Sequence, residues 1–207
     1  MSIITRQGKG APLTYVEADN NLVELDNRTK IGWRDNIIEM TTRNGPAEPQ
    51  MVPFRDGIYL LGFVKTDMMD AFGNFHVDHD YAMGTRLYPH IHWATDSSLI
   101  GVVRWGIEYT IAKGHQQMAF GPTTTIYVEQ QTTGVPYMHY VAEVSDADSI
   151  PGDGIEPDTL ILVRVFRDAT HPNDTYDDQV FGICLDMHYQ VAQAATVSKR
   201  PNFFVEQ

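Results

Sequence analysis

Two closely spaced histidines are the most suggestive metal ligands in this sequence. His90 and His92 lie two residues apart in the segment 89–93. On a β-strand this spacing places both imidazoles on the same face, as the binding of one metal ion requires. Asp96 follows four residues after His92, and His188 lies in the last apolar segment, so either could add a further ligand.

This set of residues resembles that of the cupins, jelly-roll proteins with a His-x-His pair, a nearby acid and a late histidine. The sequence departs from that pattern at Asp96, where cupins usually have glutamate, and around His188, which lacks the preceding glycines and proline. A metal site also needs a third ligand and outer hydrogen-bond partners. Hydrogen-bonded or solvent-facing strand histidines explain the spacing more simply, and we predict no metal, no cofactor and no catalytic residue.

Other potentially reactive residues have simple structural interpretations. The histidines and aspartates of segment 76–80 follow Gly73 and Asn74, which indicate a turn, so we expect a solvated polar loop. Cys184 lies in an apolar segment and is expected to behave as a small hydrophobic side chain. The aspartates between 168 and 178 are expected to lie in another solvated loop.

The composition is that of an acidic protein with a single cysteine. Its 207 residues include 15 Lys and Arg against 27 Asp and Glu, which gives a net charge of -12. This charge argues against nucleic acid or an anionic membrane as a partner, because both need a basic surface. No apolar run approaches the roughly 20 residues that span a bilayer. We therefore expect a soluble protein that is made in the cytoplasm.

Alternating apolar and polar residues predict a series of β-strands between residues 57 and 190. The predicted strands are Ile58–Thr66, Thr85–Ala94, Gly101–Ala112, Thr123–Gln130, Tyr137–Val144, Thr159–Arg167 and Val180–Tyr189. No helix-length periodicity separates them, so parallel βαβ units are not expected. About eight antiparallel strands predict a mainly β fold, an antiparallel β-sandwich of jelly-roll type.

The first thirty residues have a different pattern. Residues 1–13 form a polar arm with little to bury, which we expect to be extended or to be ordered only on a partner. Thr14 and Glu17 have the spacing of a capping box, which predicts a helix from Tyr15 to about Thr29. Its apolar residues recur at spacings of three, four and three, namely Tyr15, Ala18, Leu22 and Leu25. This narrow seam is typical of coiled coils and must pack on its own domain or on copies of itself.

The sequence therefore divides into four predicted parts. Residues 1–30 form an attachment arm and helix, and residues 31–56, which several prolines interrupt, form a connector that can hold a short strand around Trp33–Met40. Residues 57–190 form the sandwich, and residues 191–207 form a C-terminal tail.

Two stretches resemble proteins of tailed bacteriophages. Segment 4–22 resembles the N-terminal segment of phage fibre and appendage proteins, in which a Lys-Gly-small-Pro-Leu-Thr stretch leads into an acidic helix. The sandwich is similar to an uncharacterised family of phage structural proteins without an established enzyme activity. The matching segments are 87–93, 105–109, 174–176 and 185–189.

The resemblance implies a non-enzymatic structural component of the virion, in the head, neck or tail, such as a fibre, collar or decoration subunit. It would be assembled in the host cytoplasm as a homo-oligomer, expected to be a trimer, and would contact other virion proteins of the capsid, neck or tail. Arg6 and Lys9 would meet acidic groups of the partner. The predicted attachment and oligomer-interface residues are Arg6, Lys9, Pro12, Leu13, Thr14, Tyr15, Glu17, Leu22 and Leu25.

Two alternative functions fit the same sequence. A cupin-like metal-dependent enzyme would use His90, His92 and His188 as ligands. A carbohydrate-binding module for host recognition would instead hold host surface glycan with the long loops 67–84 and 168–179, because loops at the end of a sandwich commonly bind ligands.

Overall fold

A computed structural model of the chain describes residues 3–28, 32–43, 45, 47–192 and 196–203. These residues form two helices and ten strands. The helices are α1 (Arg6–Lys9) and α2 (Tyr15–Arg28). The strands are β1 (Gly32–Ile38), β2 (Gln50–Arg55), β3 (Ile58–Phe63), β4 (Asp70–His76), β5 (Leu87–Ala94), β6 (Val102–Lys113), β7 (Thr124–Gln131), β8 (His139–Glu143), β9 (Thr159–Arg167) and β10 (Val180–Val191).

The strands form two antiparallel sheets around a shared core. The larger sheet has the order β2-β3-β10-β5-β8, and β1 also pairs with β10. The smaller sheet has the order β4-β9-β6-β7. When β3 to β10 are renumbered from 1 to 8, the sheets read 1-8-3-6 and 2-7-4-5, which is the strand order of a jelly roll. The predicted antiparallel β-sandwich of jelly-roll type is therefore confirmed.

Alternation along the strands places the core between the sheets. Trp105 and Ile107 on β6 point inward and are fully buried, as are Ile91 and Trp93 on β5. The rings of Trp93 and Trp105 meet edge to face with their centroids 6.0 Å apart. Because residues on a strand alternate between faces, the intervening His92 projects from the outer face of the larger sheet.

The predicted connector 31–56 contributes two strands, so the sandwich begins earlier than expected. Strand β1 pairs with β10 over its whole length, and β2 pairs with β3. Pro53 lies within β2, where it is tolerated because β2 is at the edge of the larger sheet. Pro53, one of the prolines that predicted a connector, therefore marks a sheet edge.

The loop predicted at 67–84 also contains a strand. The Gly73-Asn74 pair, expected to form a turn, lies inside β4. A Cβ at Gly73 would lie 2.5 Å from the Cγ2 atom of Ile38, so a larger residue would collide with β1. The glycine therefore marks a close approach of two strands, which is a second common use of glycine in a sheet.

Helix α2 matches the predicted helix over the described residues, and the predicted end at Thr29 lies outside them. The capping box is confirmed at its N-terminus. The Glu17 N–H donates to Thr14 Oγ1 at 3.2 Å, and the Thr14 N–H donates to Glu17 Oε2 at 2.8 Å. Neither described helix has the length and apolar character needed to cross a membrane.

The polar arm before α2 is more ordered than predicted. Its expected extended path is replaced by the short helix α1, where the Gly8 N–H donates to the side chain of Thr5 at 3.0 Å. The arm also folds back on α2. The Ile4 N–H donates to Asn21 Oδ1 at 2.8 Å, and Asn21 Nδ2 donates to the Ile4 carbonyl at 2.7 Å. Residues 3–28 therefore form a small unit with its own internal contacts.

The described part of the predicted C-terminal tail folds against the sandwich. The Thr196 N–H donates to the carbonyl oxygen of His79 at 3.0 Å. Phe203 is buried, and its ring meets those of His79 and His115 edge to face. Residues 196–203 are therefore a contact arm on their own domain.

Candidate functional site

Strand register brings the predicted histidines together with acids that are distant in the sequence. His90 on β5 lies directly opposite Asp186 on β10 and Glu143 on β8. His92 follows two residues later on β5, and His188 follows two residues after Asp186 on β10, so both share the outer face. We call these five residues the sheet-face cluster.

Three members of the sheet-face cluster direct ligand atoms at one another. His90 Nε2 lies 3.8 Å from Asp186 Oδ2, and His92 Nε2 lies 3.7 Å from the same oxygen. All three ligand atoms fall within 4.8 Å of one another. The other carboxylate oxygen, Asp186 Oδ1, accepts the Met187 N–H at 2.7 Å and is thereby fixed.

The remaining nitrogen of each imidazole has its own partner. His90 Nδ1 lies 3.3 Å from the carbonyl oxygen of Tyr88, which can only accept, so this nitrogen carries the proton. His92 Nδ1 lies 2.7 Å from His139 Nε2. These contacts orient both rings with Nε2 toward Asp186.

Burial determines the charge of the two imidazoles. His90 is 1% exposed, although it lies on the outer face, because its neighbours on three strands cover it. Burial, and then the nearby His188, lowers the pKa of His90. Burial, followed by the proximity of His90 and His139, also lowers the pKa of His92. Both rings are therefore neutral near pH 7, with a nitrogen lone pair available.

His188 has a different role within the sheet-face cluster. Its Nδ1 lies 2.6 Å from Glu143 Oε1, and its Nε2 lies 2.6 Å from Asp35 Oδ1 on β1. His90, Glu143 and His188 also form a group of possible metal ligands. Because both nitrogens of His188 already face carboxylates, this residue links β1, β10 and β8 and offers no free ligand atom.

An open groove of about 490 Å³ lies beside the sheet-face cluster. It is lined by Trp33, Tyr88, Glu143, Val144, Ser145, Asp146 and His188. Trp33 is 59% exposed and meets Tyr88 edge to face, with the ring centroids 5.4 Å apart. Exposed aromatic faces beside carboxylates suit a molecule with both apolar and hydroxyl-bearing surfaces.

Of the residues considered as possible metal ligands, the structure brings the three histidines together and leaves Asp96 apart from them. His90 and His92 share a face, and the fold brings His188 to them. Asp96 lies exposed in the turn after β5 and belongs to neither group of possible ligands. Sequence reasoning missed Asp186, whose signal is that it interrupts an apolar strand between Leu185 and Met187.

A second histidine group surrounds one carboxylate at another part of the sandwich. Asp158 Oδ1 lies 3.0 Å from His76 Nε2, and Asp158 Oδ2 lies 2.6 Å from His115 Nε2 and 3.3 Å from His79 Nε2. Burial alone raises the pKa of Asp158, but the His115 hydrogen bond and the nearby His79 and His76 outweigh it and lower the pKa. The segment 76–80, predicted to be a solvated loop, is therefore anchored through two of its histidines.

The loop 168–179, predicted to be solvated, is held inward by a buried ion pair. Arg167 Nε donates to Asp174 Oδ2 at 2.9 Å, and Arg167 Nη2 donates to Asp174 Oδ1 at 2.8 Å. Both side chains are 0% exposed, and Lys65 Nζ lies 3.2 Å from Asp174 Oδ1. Asp174 is therefore an internal support of the loop, which makes it unsuitable for contacting a glycan.

The predicted attachment residues lie together at the N-terminal end. Arg6 and Pro12 are exposed and Leu13 is half-buried, whereas Lys9 forms an ion pair with Glu17 of the same chain. We expected Lys9 to meet an acidic group of another protein, but its acidic partner in the structure is Glu17 of the same chain.

The apolar seam of α2 faces solvent. Tyr15 is 91% exposed, Leu22 is 64% exposed and Leu25 is 47% exposed. Within the described part of the chain, α2 has no extended packing against any strand. The alternative in which the seam packs on its own sandwich is therefore wrong for this structure.

Comparison with known proteins yields only distant structural similarity. No family model matches the sequence, and no curated protein matches it. One similar structure, TmCBM61 in complex with β-1,4-galactotriose, is 13% identical with a TM-score of 0.30, covering 78% of this chain and 88% of that one. Another, the non-crystalline cellulose specific carbohydrate-binding module CBM28, is 13% identical with a TM-score of 0.31, covering 76% and 82%. We therefore derive a function from the residues of this chain.

Proposed function

We propose that this chain is a non-enzymatic structural subunit of a tailed-phage virion, which trimerises through α2 and docks on the particle through its N-terminal arm. The observation that carries the proposal is the exposed apolar seam of α2. A helix with one apolar stripe is marginal in water, so it gains stability only when another surface covers that stripe. The sequence resemblance to phage appendage proteins supplies the virion context.

Copies of the same helix are the partner that suits the seam. Tyr15, Ala18, Leu22 and Leu25 occupy the alternating three- and four-residue positions that pack into one another in parallel coiled coils. Asp19 follows the second of these positions and would flank the seam. In a parallel arrangement its counterpart on the neighbouring helix is the uncharged Thr14, so no like charges face each other there.

The arm is prearranged for docking by contacts within the N-terminal unit. The paired hydrogen bonds between Ile4 and Asn21 hold the arm on α2, and the Lys9–Glu17 ion pair holds α1 beside the capping box. A surface that is ordered before binding loses less conformational entropy on association. Arg6, Pro12 and Leu13 are then displayed on one small, folded unit.

Incorporation into virions tests this proposal. Particles are assembled with the full chain or with Leu22→Gln/Leu25→Gln, which removes apolar surface but retains residues that favour a helix. We expect the wild-type chain in purified particles and at least a tenfold loss of the variant, measured by quantitative mass spectrometry.

Val16→Gln/Val23→Gln is the matched control. Both valines are exposed on α2, at 67% and 59%, but lie outside the seam. This control should enter particles like the wild-type chain. Absence of the wild-type chain from virions, or equal incorporation of the seam variant, would overturn the proposal.

A host-surface glycan is a second candidate partner, and the groove beside Trp33 favours it. Of the three tryptophans, Trp93 and Trp105 are fully buried, so an added quencher or ligand reaches Trp33 selectively. We expect a neutral oligosaccharide from the host surface to shift the fluorescence of Trp33 and to protect it from acrylamide. Trp33→Ala should abolish that response, and an unchanged spectrum with host oligosaccharides would rule out this second role.

A further inference from the structure

We infer that His90, His92 and Asp186 form a binding site for one Zn²⁺ ion on the outer face of the larger sheet. The inference is independent of the proposed attachment role, because it concerns strands β5 and β10 and none of the N-terminal unit. None of the three residues belongs to the apolar core, so we expect the metal-free chain to fold.

The distances from the Asp186 carboxylate to the two imidazoles are close to those of a zinc site, and all three ligand atoms lie within 4.8 Å of one another. Zinc bonds to imidazole nitrogen and carboxylate oxygen are about 2.0–2.2 Å long, so tetrahedral ligands lie about 3.3–3.5 Å apart. The distances from Asp186 Oδ2 to the two Nε2 atoms are 3.8 Å and 3.7 Å. Small rotations of the side chains are therefore sufficient to close the site around an ion.

The chemistry of the three atoms calls for a cation. Neither imidazole Nε2 lies within hydrogen-bond distance of Asp186 Oδ2. His90 Nδ1–H donates to the Tyr88 carbonyl, so its Nε2 presents a lone pair. In the tautomer in which His92 Nδ1–H donates to His139, His92 Nε2 also presents a lone pair. Two lone pairs and a carboxylate oxygen then meet in a largely buried place, where a metal ion would neutralise them.

The surrounding residues provide the support that metal ligands require. Metal-binding histidines usually donate their second N–H to a carbonyl, a carboxylate or another acceptor, which fixes the tautomer. Tyr88 has that role for His90, the Nε2 atom of His139 lies 2.7 Å from His92 Nδ1 in position to accept its proton, and the Met187 N–H holds the Asp186 carboxylate. Three ligands of the protein leave one tetrahedral position for water.

The chemical types of the three ligands favour zinc over Mg²⁺ and Ca²⁺. Two neutral imidazoles with one carboxylate suit zinc and similar first-row ions, whereas Mg²⁺ and Ca²⁺ prefer sites made entirely of oxygen. The second histidine group differs, because His76, His79 and His115 all direct a nitrogen at the single carboxylate of Asp158. The possible ligand atoms of the described Asp158 group do not all lie within 4.8 Å of one another.

Calorimetric titration with Zn²⁺ tests the inference. Full-length protein without a histidine tag is stripped with a chelator and titrated with zinc chloride in the presence of excess Mg²⁺. We expect one equivalent of zinc to bind with submicromolar affinity and to raise the melting temperature, because the ion binds only the folded state. Co²⁺ in place of zinc should give the visible absorption of a four-coordinate site.

Variants distinguish the proposed ligands from incidental surface histidines. His92→Ala, at a partly exposed position, and Asp186→Asn, which keeps the shape of the side chain, should each weaken zinc binding at least 100-fold. His139→Ala should weaken it by about 10- to 100-fold, as expected for an outer-shell partner. His115→Ala, at the other histidine group, should bind zinc like the wild-type protein.

The folded state of each metal-free variant is checked by near-ultraviolet circular dichroism. The inference is overturned if folded His92→Ala and Asp186→Asn bind zinc as tightly as the wild-type chain. Loss of binding in His115→Ala with retention in His92→Ala would place the metal elsewhere and would also overturn it.

Discussion

Helix α2 and the sandwich differ in the burial of their apolar residues. The sandwich encloses Trp93, Trp105 and Phe63 completely, whereas α2 exposes Leu22 and Leu25 to solvent. Both segments follow a regular apolar pattern in the sequence, with period two in the strands and alternating spacings of three and four in the helix. The strands pair and pack with other strands of the chain, whereas α2 has no extended packing against any strand among the described residues.

This difference separates two tasks within one subunit. The sandwich has its own enclosed core, to which the inner faces of its two sheets both contribute. The N-terminal unit is ordered locally by its cap and its own hydrogen bonds, but its seam remains uncovered. Changes in the sandwich should therefore alter unfolding, whereas changes in the seam should alter assembly and leave unfolding of the sandwich unchanged.

The largest expected effect is at the buried ion pair of the sandwich. We expect Arg167→Met to lower the free energy of unfolding by about 3–5 kcal/mol, because it leaves the Asp174 carboxylate buried without its main partner. Urea denaturation followed by tryptophan fluorescence measures the change. Arg164→Met is the control, with an expected loss of at most about 1 kcal/mol, since this guanidinium is partly exposed to solvent. Equal losses in both variants would contradict this account of the core.

The next largest loss of unfolding free energy is expected on the smaller sheet, where Gly106 lies against the ring of Phe166. A Cβ at Gly106 would lie 2.2 Å from the Cζ atom of Phe166, whose ring covers the glycine. We therefore expect Gly106→Ala to cost about 1–3 kcal/mol, as other overpacking substitutions do. Gly121→Ala, where a Cβ meets nothing within 4 Å, is the matched control. Comparable melting temperatures for the two variants would show that the Phe166 ring moves aside freely.

A smaller, pH-dependent effect is expected at Asp158. Its pKa is lowered in the folded state, so its ionised form stabilises the fold above the ordinary carboxyl pKa of about 3.9 and this contribution is lost as the pH falls. Asp158→Asn should therefore cost up to about 1 kcal/mol near pH 6, because the group is partly exposed. The difference from the wild-type protein should shrink below pH 4 in thermal melts. A difference that is constant with pH would exclude this electrostatic contribution.

A change at the helix cap is expected to affect α2 alone and to leave the stability of the sandwich unchanged. Thr14→Ala should destabilise α2 by about 1 kcal/mol, because it removes the side-chain acceptor of the Glu17 N–H. Hydrogen exchange over residues 15–28 should become faster, while the melting temperature of the sandwich stays unchanged. A parallel fall in that melting temperature would show that α2 packs on the sandwich in solution.

The same capping box has a predictable response to acid. The hydrogen bond from Lys9, followed by that from the Thr14 N–H, lowers the pKa of Glu17 from 4.5 to about 2. Ionised Glu17 therefore supports the helix above pH 4.5, and this support is lost only as the pH falls through about 2.

Local patterns in the sequence predicted most of the elements. Each of the seven predicted strand segments overlaps an observed strand over most of its length, and the Thr14–Glu17 spacing placed the start of α2 correctly. The predictions failed where a residue is explained by its contacts or position in the folded sheet. Pro53 lies on a sheet edge and Gly73 lies beneath Ile38, and neither reason is visible in the neighbouring sequence.

The candidate site could be predicted only in part for the same reason. The two-residue spacing of His90 and His92 on one strand predicts that they share a face. Asp186 and Glu143 reach them through the pairing of strands that lie far apart in the sequence. That register depends on the complete sandwich, so the acids of the site could be identified only from the fold.

The mass of the chain in solution tests the central claim most directly. Sedimentation equilibrium of the wild-type protein should give about 70 kDa, three times the chain mass of 23.4 kDa. Leu22→Gln/Leu25→Gln should sediment as a monomer with an unchanged sandwich melting temperature, and Val16→Gln/Val23→Gln should remain trimeric. A wild-type chain that stays monomeric at every concentration, or a trimer that both double variants retain, would contradict the claim that α2 is completed by copies of itself.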